Sequence, residues 1–140
     1  MGAGIAQVLA HVGKYNVTLT DVSDKALANG QSIMGKSLAR LMKKQMAEAS
    51  PEEQEKAVKD IIGSIKVTTN AEEAVQQTDL VIEAVIENLK LKKELFGFID
   101  GKAPKDAIFA SNTSSLSITD VAEGTSRREQ FGGFHAFNPV

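Results

Sequence analysis

The fold is decided by residues 80–87, which read Leu80-Val81-Ile82-Glu83-Ala84-Val85-Ile86-Glu87. This run is apolar and β-branched at its start, and polar residues flank it on both sides. A short, nearly continuous apolar run is typical of a strand that is covered on both faces, as in a parallel sheet. We therefore predict a buried parallel strand, around which the rest of the chain is organised.

Two further apolar runs have polar residues at their carboxyl ends. Residues 107–110 lead into Ser111-Asn112-Thr113-Ser114-Ser115, and residues 131–134 lead into His135 and Asn138. In open α/β sheets, ligands bind outside the carboxyl ends of the strands. Polar clusters that follow three separate strands would meet at one edge of the sheet, and this edge is the predicted site.

The composition is that of an ordinary globular protein, with 42% hydrophobic and 24% charged residues in a chain of 140. The formal net charge of −2 indicates no general attraction to nucleic acid or to anionic membranes. The sequence contains no cysteine, which excludes thiolate chemistry and disulfides. Its two histidines, His11 and His135, are far apart, and no apolar run is long enough to span a membrane. We expect neither a metal site nor a membrane partner.

Capping residues and apolar periodicity predict the order of the elements. Ser50-Pro51-Glu52-Glu53 is a strong helix start, with Ser as N-cap, Pro at the first position and Glu at the third. Gly13 and Gly63 are predicted to end helices. The predicted elements are a helix over 2–12, a strand over 16–20, helices over 23–48 and 51–62, a strand over 65–69, a short helix over 71–77, the strand at 80–87, a helix over 89–100, a strand from 107, a short helix from 117 and a strand from 131.

Strands that alternate with helices predict an α/β fold with a parallel sheet. The stretch from Asp21 to Ile65 is too long for a simple crossover, so we predict a helical hairpin added to the sheet. The spacing from Gly2 to Asp21 is about that between a Gly-rich dinucleotide turn and the acid that binds the ribose hydroxyls. Glycines open many other helices, and this pair alone leaves a purely structural role equally open.

Four segments carry a resemblance to a known family. They are Met1-Gly-Ala-Gly-Ile-Ala-Gln-Val8, Asp79-Leu-Val-Ile-Glu-Ala-Val-Ile-Glu-Asn88, Phe109-Ala-Ser-Asn-Thr-Ser-Ser115 and His135-Ala-Phe-Asn-Pro-Val140. In this order and spacing they resemble the L-3-hydroxyacyl-CoA dehydrogenases of fatty-acid β-oxidation. The resemblance implies that residues 1–140 are a Rossmann-type NAD-binding domain without its first strand. In the family an all-helical domain follows, which closes the cleft and forms the homodimer, and we expect it to be absent from this chain.

The missing strand has a consequence for stability. In the strand order 3-2-1-4-5-6, strand 1 is central. Without it, the strand that ends at Asp21 and the strand over 80–87 lose a shared partner, which leaves backbone groups unpaired. A chain that begins at Met1 is therefore expected to be marginally stable or to aggregate.

The resemblance assigns the catalytic roles to His135 and Ser114. Residues 135–139 match the family's His-Phe-Phe-Asn-Pro motif, with Ala136 in place of the first Phe. In the family this histidine takes the proton from the substrate's 3-hydroxyl while a hydride passes to NAD, and an imidazole is suited to that exchange near neutral pH. Ser114 matches the serine that hydrogen-bonds the same hydroxyl. The family's Glu that orients the histidine has no counterpart in residues 1–140, which leaves the activity of this chain open.

The resemblance also assigns the cofactor and substrate contacts. The NAD contacts are Gly2, Asp21, Glu87, Lys92, Ser114 and Asn138, and the CoA contacts are Ser37, Lys44 and Ser114. An acid at Asp21 repels a 2′-phosphate, which favours NAD over NADP. The alternative is that Glu87 and Lys92 are a solvated acid and a surface lysine. Likewise, a charged, water-facing helix side could be formed by Lys36, Arg40, Lys43 and Lys44.

The expected reaction is the NAD-dependent oxidation of an (S)-3-hydroxyacyl-CoA to a 3-oxoacyl-CoA. Two alternatives remain: a non-catalytic NAD-binding or crystallin-like structural relative, and a β-hydroxyacid dehydrogenase that does not use CoA. Ser37 and Lys44 weigh against the second alternative. The resemblance places the protein in the mitochondrial matrix, or in the cytoplasm if it is bacterial.

Overall fold

The computed structural model describes residues 1–137, which cluster into two compact units. The first unit covers residues 1–69, and the second begins at Asn70. Each unit contains its own parallel sheet together with helices, which confirms the predicted α/β class.

The first unit joins two short strands through a helical hairpin. Its elements are α1 (Gly2–His11), β1 (Thr18–Thr20), α2 (Asp24–Gln45), α3 (Pro51–Ser64) and β2 (Lys66–Thr68). The two strands pair in parallel, with Leu19 opposite Val67. The buried residues Ala6, Ala10, Met34 and Ile65 form its core. The helical hairpin predicted between the strands is therefore confirmed, as α2 and α3.

The start of α3 follows the predicted capping pattern. The Ser50 hydroxyl accepts a hydrogen bond from the Glu53 amide at 3.2 Å, and the Glu53 carboxylate accepts one from the Ser50 amide at 2.8 Å. The predicted end at Gly63 is wrong, because α3 continues to Ser64. No glycine among residues 1–137 has a positive φ, so Gly63 does not adopt the left-handed conformation that ends many helices. The Ser64 hydroxyl instead donates to the Ile61 carbonyl at 2.7 Å.

The second unit is built on a three-stranded parallel sheet in the order β3-β4-β5. Its elements are α4 (Ala71–Val75), β3 (Leu80–Glu83), α5 (Leu89–Asp100), β4 (Ile108–Asn112), α6 (Ile118–Ala122), a 3₁₀ turn (Arg128–Gln130) and β5 (Phe131–Phe134). Phe96 of α5 contacts Phe109 and Phe131 on the sheet, with ring centroids 5.5 and 4.7 Å apart. These aromatic contacts hold α5 against β4 and β5.

The strand pairings are those that a Rossmann order requires. In the order 3-2-1-4-5-6, strands 2 and 3 are neighbours, and strands 4, 5 and 6 are consecutive neighbours. If β1 to β5 are taken as strands 2 to 6, the observed pairs β1-β2, β3-β4 and β4-β5 agree with that order.

The strand at residues 80–87 is shorter and less buried than predicted. It ends at Glu83, and Leu80 is 46% exposed, so burial on both faces is wrong at its first residue. Side chains alternate between the two faces of a strand. Val81 and Phe109 belong to the core cluster that includes α4, α5 and α6, whereas Leu80 and its neighbour Ile108 lie on the opposite face.

A largely buried ion pair connects the end of α5 to the loop before β5. The Arg127 Nε donates to Asp100 Oδ1 at 2.7 Å, and its Nη1 donates to the Ala107 carbonyl at 3.1 Å. Burial by itself raises the pKa of the Asp100 carboxyl. Hydrogen bonds from Ser126, Arg127 and Thr125 outweigh that effect and hold the pKa well below its ordinary value. The Asp100 carboxylate is therefore ionised, and both of its oxygens accept hydrogen bonds from residues 125–127.

Replacing Arg127 with Met leaves the largely buried Asp100 carboxylate without its counterion. We expect the free energy of unfolding, measured by urea denaturation, to fall by about 3 kcal/mol. The matched control is Arg128→Met, because Arg128 is exposed. The control is expected to change stability by no more than about 0.5 kcal/mol. Equal effects of the two substitutions would contradict a structural role for the ion pair.

Candidate functional site

The carboxyl ends of β3, β4 and β5 meet at one edge of the second unit. Glu83 at the end of β3 lies opposite Ser111, and Asn112 at the end of β4 lies opposite Phe134. The turn over 113–115 follows β4. This arrangement confirms that the polar clusters of three strands share an edge of the sheet.

Ser114 and His135 come together at this edge, as predicted. The Ser114 Oγ lies 3.3 Å from His135 Nε2, and both residues are exposed. The imidazole stacks on the Phe137 ring, with centroids 4.5 Å apart. The Asn112 Oδ1 accepts a hydrogen bond from the Ala136 amide at 3.0 Å, which ties the segment after β5 to the end of β4. The result is a hydroxyl and an imidazole in hydrogen-bond contact at an accessible edge.

Glu87 holds the turn that carries Ser114. One of its carboxylate oxygens accepts hydrogen bonds from the Ser114 and Ser115 amides at 3.0 and 3.1 Å, and also from the Thr113 hydroxyl. The hydrogen bond from Thr113 is the largest cause of a pKa lowered to about 2. Partial desolvation opposes it, and the two amides add to it. Glu87 is therefore an ionised carboxylate that binds the turn.

A buried ion pair lies beneath this turn. The Lys92 Nζ donates to the two carboxylate oxygens of Glu83 at 2.8 and 3.0 Å, and both side chains are 0% exposed. The Glu83 carboxylate also accepts from the Ser111 hydroxyl at 2.5 Å and from the Val85 amide at 2.6 Å. The alternative that Lys92 is a surface lysine is therefore wrong, while the NAD contacts of Lys92 and Glu87 stay predictions.

Sequence reasoning missed Glu83 and Ser111 as part of the site. The available signal was an acid within an otherwise apolar run, because a buried carboxylate requires a cation and hydrogen-bond donors. The partner could not be chosen from sequence, because 90–93 contains three lysines, Lys90, Lys92 and Lys93, and only helix geometry selects Lys92. The Lys92 Nζ also lies 3.5 Å from Glu87 Oε2, which connects the buried pair to the turn.

In the first unit, Asp21 directly follows β1 and is exposed, and Gly2 begins α1. Both positions are those expected of a ribose-binding acid and a helix-opening glycine. Their NAD contacts, and the sharing of one rim by Asp21, Ser114 and His135, stay predictions. Asn138, predicted as a further NAD contact, lies outside the described residues.

Two of the three predicted CoA contacts, Ser37 and Lys44, line a groove between α1 and α2. The groove has a volume of about 570 Å³, and Ser37 and Lys44 lie on its wall with Lys36 and Arg40. The Ser37 Oγ accepts a hydrogen bond from the side-chain amide Nε2 of the buried Gln7 at 3.1 Å. Three cationic side chains beside a positioned hydroxyl favour an anionic ligand.

The part of the chain that the structure describes was compared with the requirements of a metal site and of a membrane-spanning helix. Residues 1–137 contain no group of three or more His, Cys, Asp or Glu side chains that could hold a metal ion. Among the same residues, no helix combines the length and apolar character required for a membrane span.

Comparison with known proteins points to one family. A model of the 3-hydroxyacyl-CoA dehydrogenase NAD-binding domain matches residues 1–140. The mitochondrial hydroxyacyl-coenzyme A dehydrogenase of Rattus norvegicus is 46% identical over all 140 residues, which cover 44% of that protein. A probable 3-hydroxybutyryl-CoA dehydrogenase of Bacillus subtilis is 41% identical, with 46% of it covered.

A solved structure agrees with these relatives. The (S)-3-hydroxybutyryl-CoA dehydrogenase of Ralstonia eutropha superposes with a TM-score of 0.85 and 44% identity. The match covers 100% of this chain and 47% of that one. The chain therefore spans less than half the length of these relatives.

The low pKa of Glu87 predicts a pH-dependent contribution to stability. Its folded pKa of about 2 lies below the ordinary 4.5, so the stabilisation is fully present above pH 4.5 and is lost as the pH falls toward 2. Glu87→Gln lacks this ionisable group. Urea denaturation at stepped pH should show the stability difference between wild type and variant shrinking over that range. A difference that stays constant would contradict the role of the carboxylate.

Proposed function

Because this chain belongs to the family of 3-hydroxyacyl-CoA dehydrogenase NAD-binding domains, we propose that it acts in the NAD-dependent oxidation of an (S)-3-hydroxyacyl-CoA to a 3-oxoacyl-CoA. The observation that carries this proposal is the contact between Ser114 and His135 at the carboxyl edge of β4 and β5. In a chain of this family, that pair is suited to bind a hydroxyl and take its proton.

The residues of the first unit fit an NAD molecule. Met1, the N-cap of the ten-residue helix α1, makes no side-chain hydrogen bond, and the first turn holds no acidic residue. The free amides and positive end of such a helix suit a pyrophosphate. Asp21 offers an exposed carboxylate after β1 to the ribose hydroxyls, as in other dinucleotide-binding folds. When bound, NAD supplies the hydride acceptor.

His135 is proposed as the general base. Its Nε2 faces the Ser114 hydroxyl, so a substrate hydroxyl that lies beside the pair would be within reach of both side chains. The imidazole takes the proton of the substrate's 3-hydroxyl as the carbonyl forms. The stacked Phe137 ring limits the rotation of the imidazole. Ser114 orients the substrate hydroxyl through a hydrogen bond and forms no covalent bond to it.

The groove between α1 and α2 is proposed to hold the CoA part of the substrate. The Lys44 ammonium and its cationic neighbours there match the negative phosphates of CoA. Ser37, held by Gln7, supplies a hydroxyl of fixed position.

The relatives support a more specific setting. Several are named mitochondrial, and a relative from Shewanella putrefaciens, 37% identical, is a fatty acid oxidation complex subunit. We therefore assign the reaction to fatty-acid β-oxidation, in the mitochondrial matrix of a eukaryote or the cytoplasm of a bacterium. A homodimeric parent protein is part of the same proposal.

Replacing His135 with Gln removes the proposed base and keeps a polar side chain of similar size. The rate of NAD reduction with 3-hydroxybutyryl-CoA, followed by NADH absorbance, should fall by about a hundredfold or more. NADH affinity, measured by fluorescence titration, should not change. Full activity in the variant would remove His135 from the reaction. A wild-type chain that binds NADH without oxidising any hydroxyacyl-CoA would favour the non-catalytic alternative.

Replacing Lys44 with Met removes a cation from the groove. The KM for 3-hydroxybutyryl-CoA should rise about tenfold, since a hydrogen bond to a charged group contributes about 1.5 kcal/mol or more. The KM for NAD should stay the same. Lys43→Met is the matched control, because Lys43 is exposed on the same helix and does not line the groove. Equal effects of the two substitutions would argue against CoA binding in this groove.

A further inference from the structure

We propose that Lys92, together with its buried partner Glu83, is a positioning residue that keeps the Ser114 hydroxyl and the His135 imidazole in contact. This inference rests on the proposed function for its kinetic consequence and on geometry for its structural one. The first observation is that the Lys92 side chain is 0% exposed. An ammonium enclosed in this way acts on its protein neighbours.

The hydrogen-bonding capacity of Lys92 is fully used. An ammonium has three donors. Its Nζ lies 2.8 and 3.0 Å from the two Glu83 carboxylate oxygens and 3.2 Å from the Asn112 carbonyl. These three acceptors satisfy all three donors. The Glu87 carboxylate at 3.5 Å adds an electrostatic attraction.

One route leads from Lys92 to Ser114. Lys92 attracts the Glu87 carboxylate, whose other oxygen accepts the amides of Ser114 and Ser115. The backbone of the turn is therefore tied to the ammonium through a single side chain. A change in the position of Glu87 would move the Ser114 hydroxyl relative to the imidazole.

A second route leads from Lys92 to His135. The Asn112 carbonyl accepts from Lys92, and the Asn112 side chain accepts from the Ala136 amide at 3.0 Å. Asn112 is thus held on its backbone and its side chain at once. Because Ala136 directly follows His135, this hydrogen bond fixes the backbone position of His135 just beyond the end of β5. The same ammonium therefore positions both members of the pair.

Glu83 makes the burial of Lys92 possible and belongs to the same hydrogen-bond network. Its carboxylate neutralises the ammonium and is itself satisfied by Ser111 and Val85. Removal of only one partner would leave an unpaired buried charge and destabilise the unit. Replacement of both by uncharged side chains of similar shape avoids that penalty. The test therefore uses the double variant Glu83→Gln/Lys92→Met.

The first readout is the contact itself, measured by NMR in the absence of ligand. The chain has two histidines, so an His11→Gln sample assigns the ring signals of His135. In the double variant we expect the nuclear Overhauser effect between the Ser114 β-protons and the His135 ring to be lost. Lys93→Met is the matched control, because Lys93 follows on the same helix and pairs with Glu123 at 2.7 Å. The control should keep the contact.

The second readout is a split between kcat and KM. With NAD and 3-hydroxybutyryl-CoA, kcat of the double variant should fall by about tenfold to a hundredfold, the effect of a small misplacement of catalytic groups. The KM for 3-hydroxybutyryl-CoA should change little, because neither Glu83 nor Lys92 lines the groove proposed for CoA. If the wild type lacks activity, the proposed function fails, and the NMR measurement still decides the positioning role.

An unchanged Ser114–His135 contact in the folded double variant would overturn the proposal. If the double variant does not fold, Glu87→Leu replaces it in the NMR comparison. Glu87 is partly exposed, and its substitution leaves the buried pair in place. An unchanged contact in Glu87→Leu would then overturn the proposal, and a lost contact would support it.

Discussion

The second unit depends on the buried ion pair between Lys92 and Glu83. Two fully buried charges are tolerated only when each is neutralised and hydrogen-bonded. Loss of one partner of such a pair costs about 3–5 kcal/mol. That is a large part of the roughly 5–15 kcal/mol that stabilises a typical domain. The pair therefore restricts how α5, β3 and β4 pack against one another. It also fixes the ends of β3 and β4, where the polar residues lie.

Parallel strands determine where that edge lies. Because β3, β4 and β5 run in one direction, the residues that follow them emerge on one side of the sheet. The Thr113 hydroxyl and the backbone amides of the turn after β4 donate to Glu87, and together they hold its carboxylate in the ionised form. The chemistry proposed for this edge uses side chains that the scaffold has already oriented. Such preorganisation is what a proton-transfer site requires.

A second, largely buried ion pair holds the other end of the same helix. Arg127 and Asp100 join the carboxyl end of α5 to the loop that leads into β5. Lys92 lies near the amino end of α5 and faces the site. The helix is thus anchored by ion pairs at both ends and by Phe96 against the sheet between them. These three contacts hold α5 against the sheet at whose carboxyl edge Ser114 and His135 lie.

The sequence by itself determined the order and type of the elements, because apolar periodicity and capping are local properties. Ser50 and Glu53 predict the start of α3 from four residues, and the motifs around Ser114 and His135 predict their pairing. Only the tertiary structure decided that Leu80 is half exposed and that Lys92 is buried. Both depend on which distant residues pack beside them. A lysine on a helix is charged and water-facing by local rules, and only the approach of Glu83 from another strand makes its burial favourable.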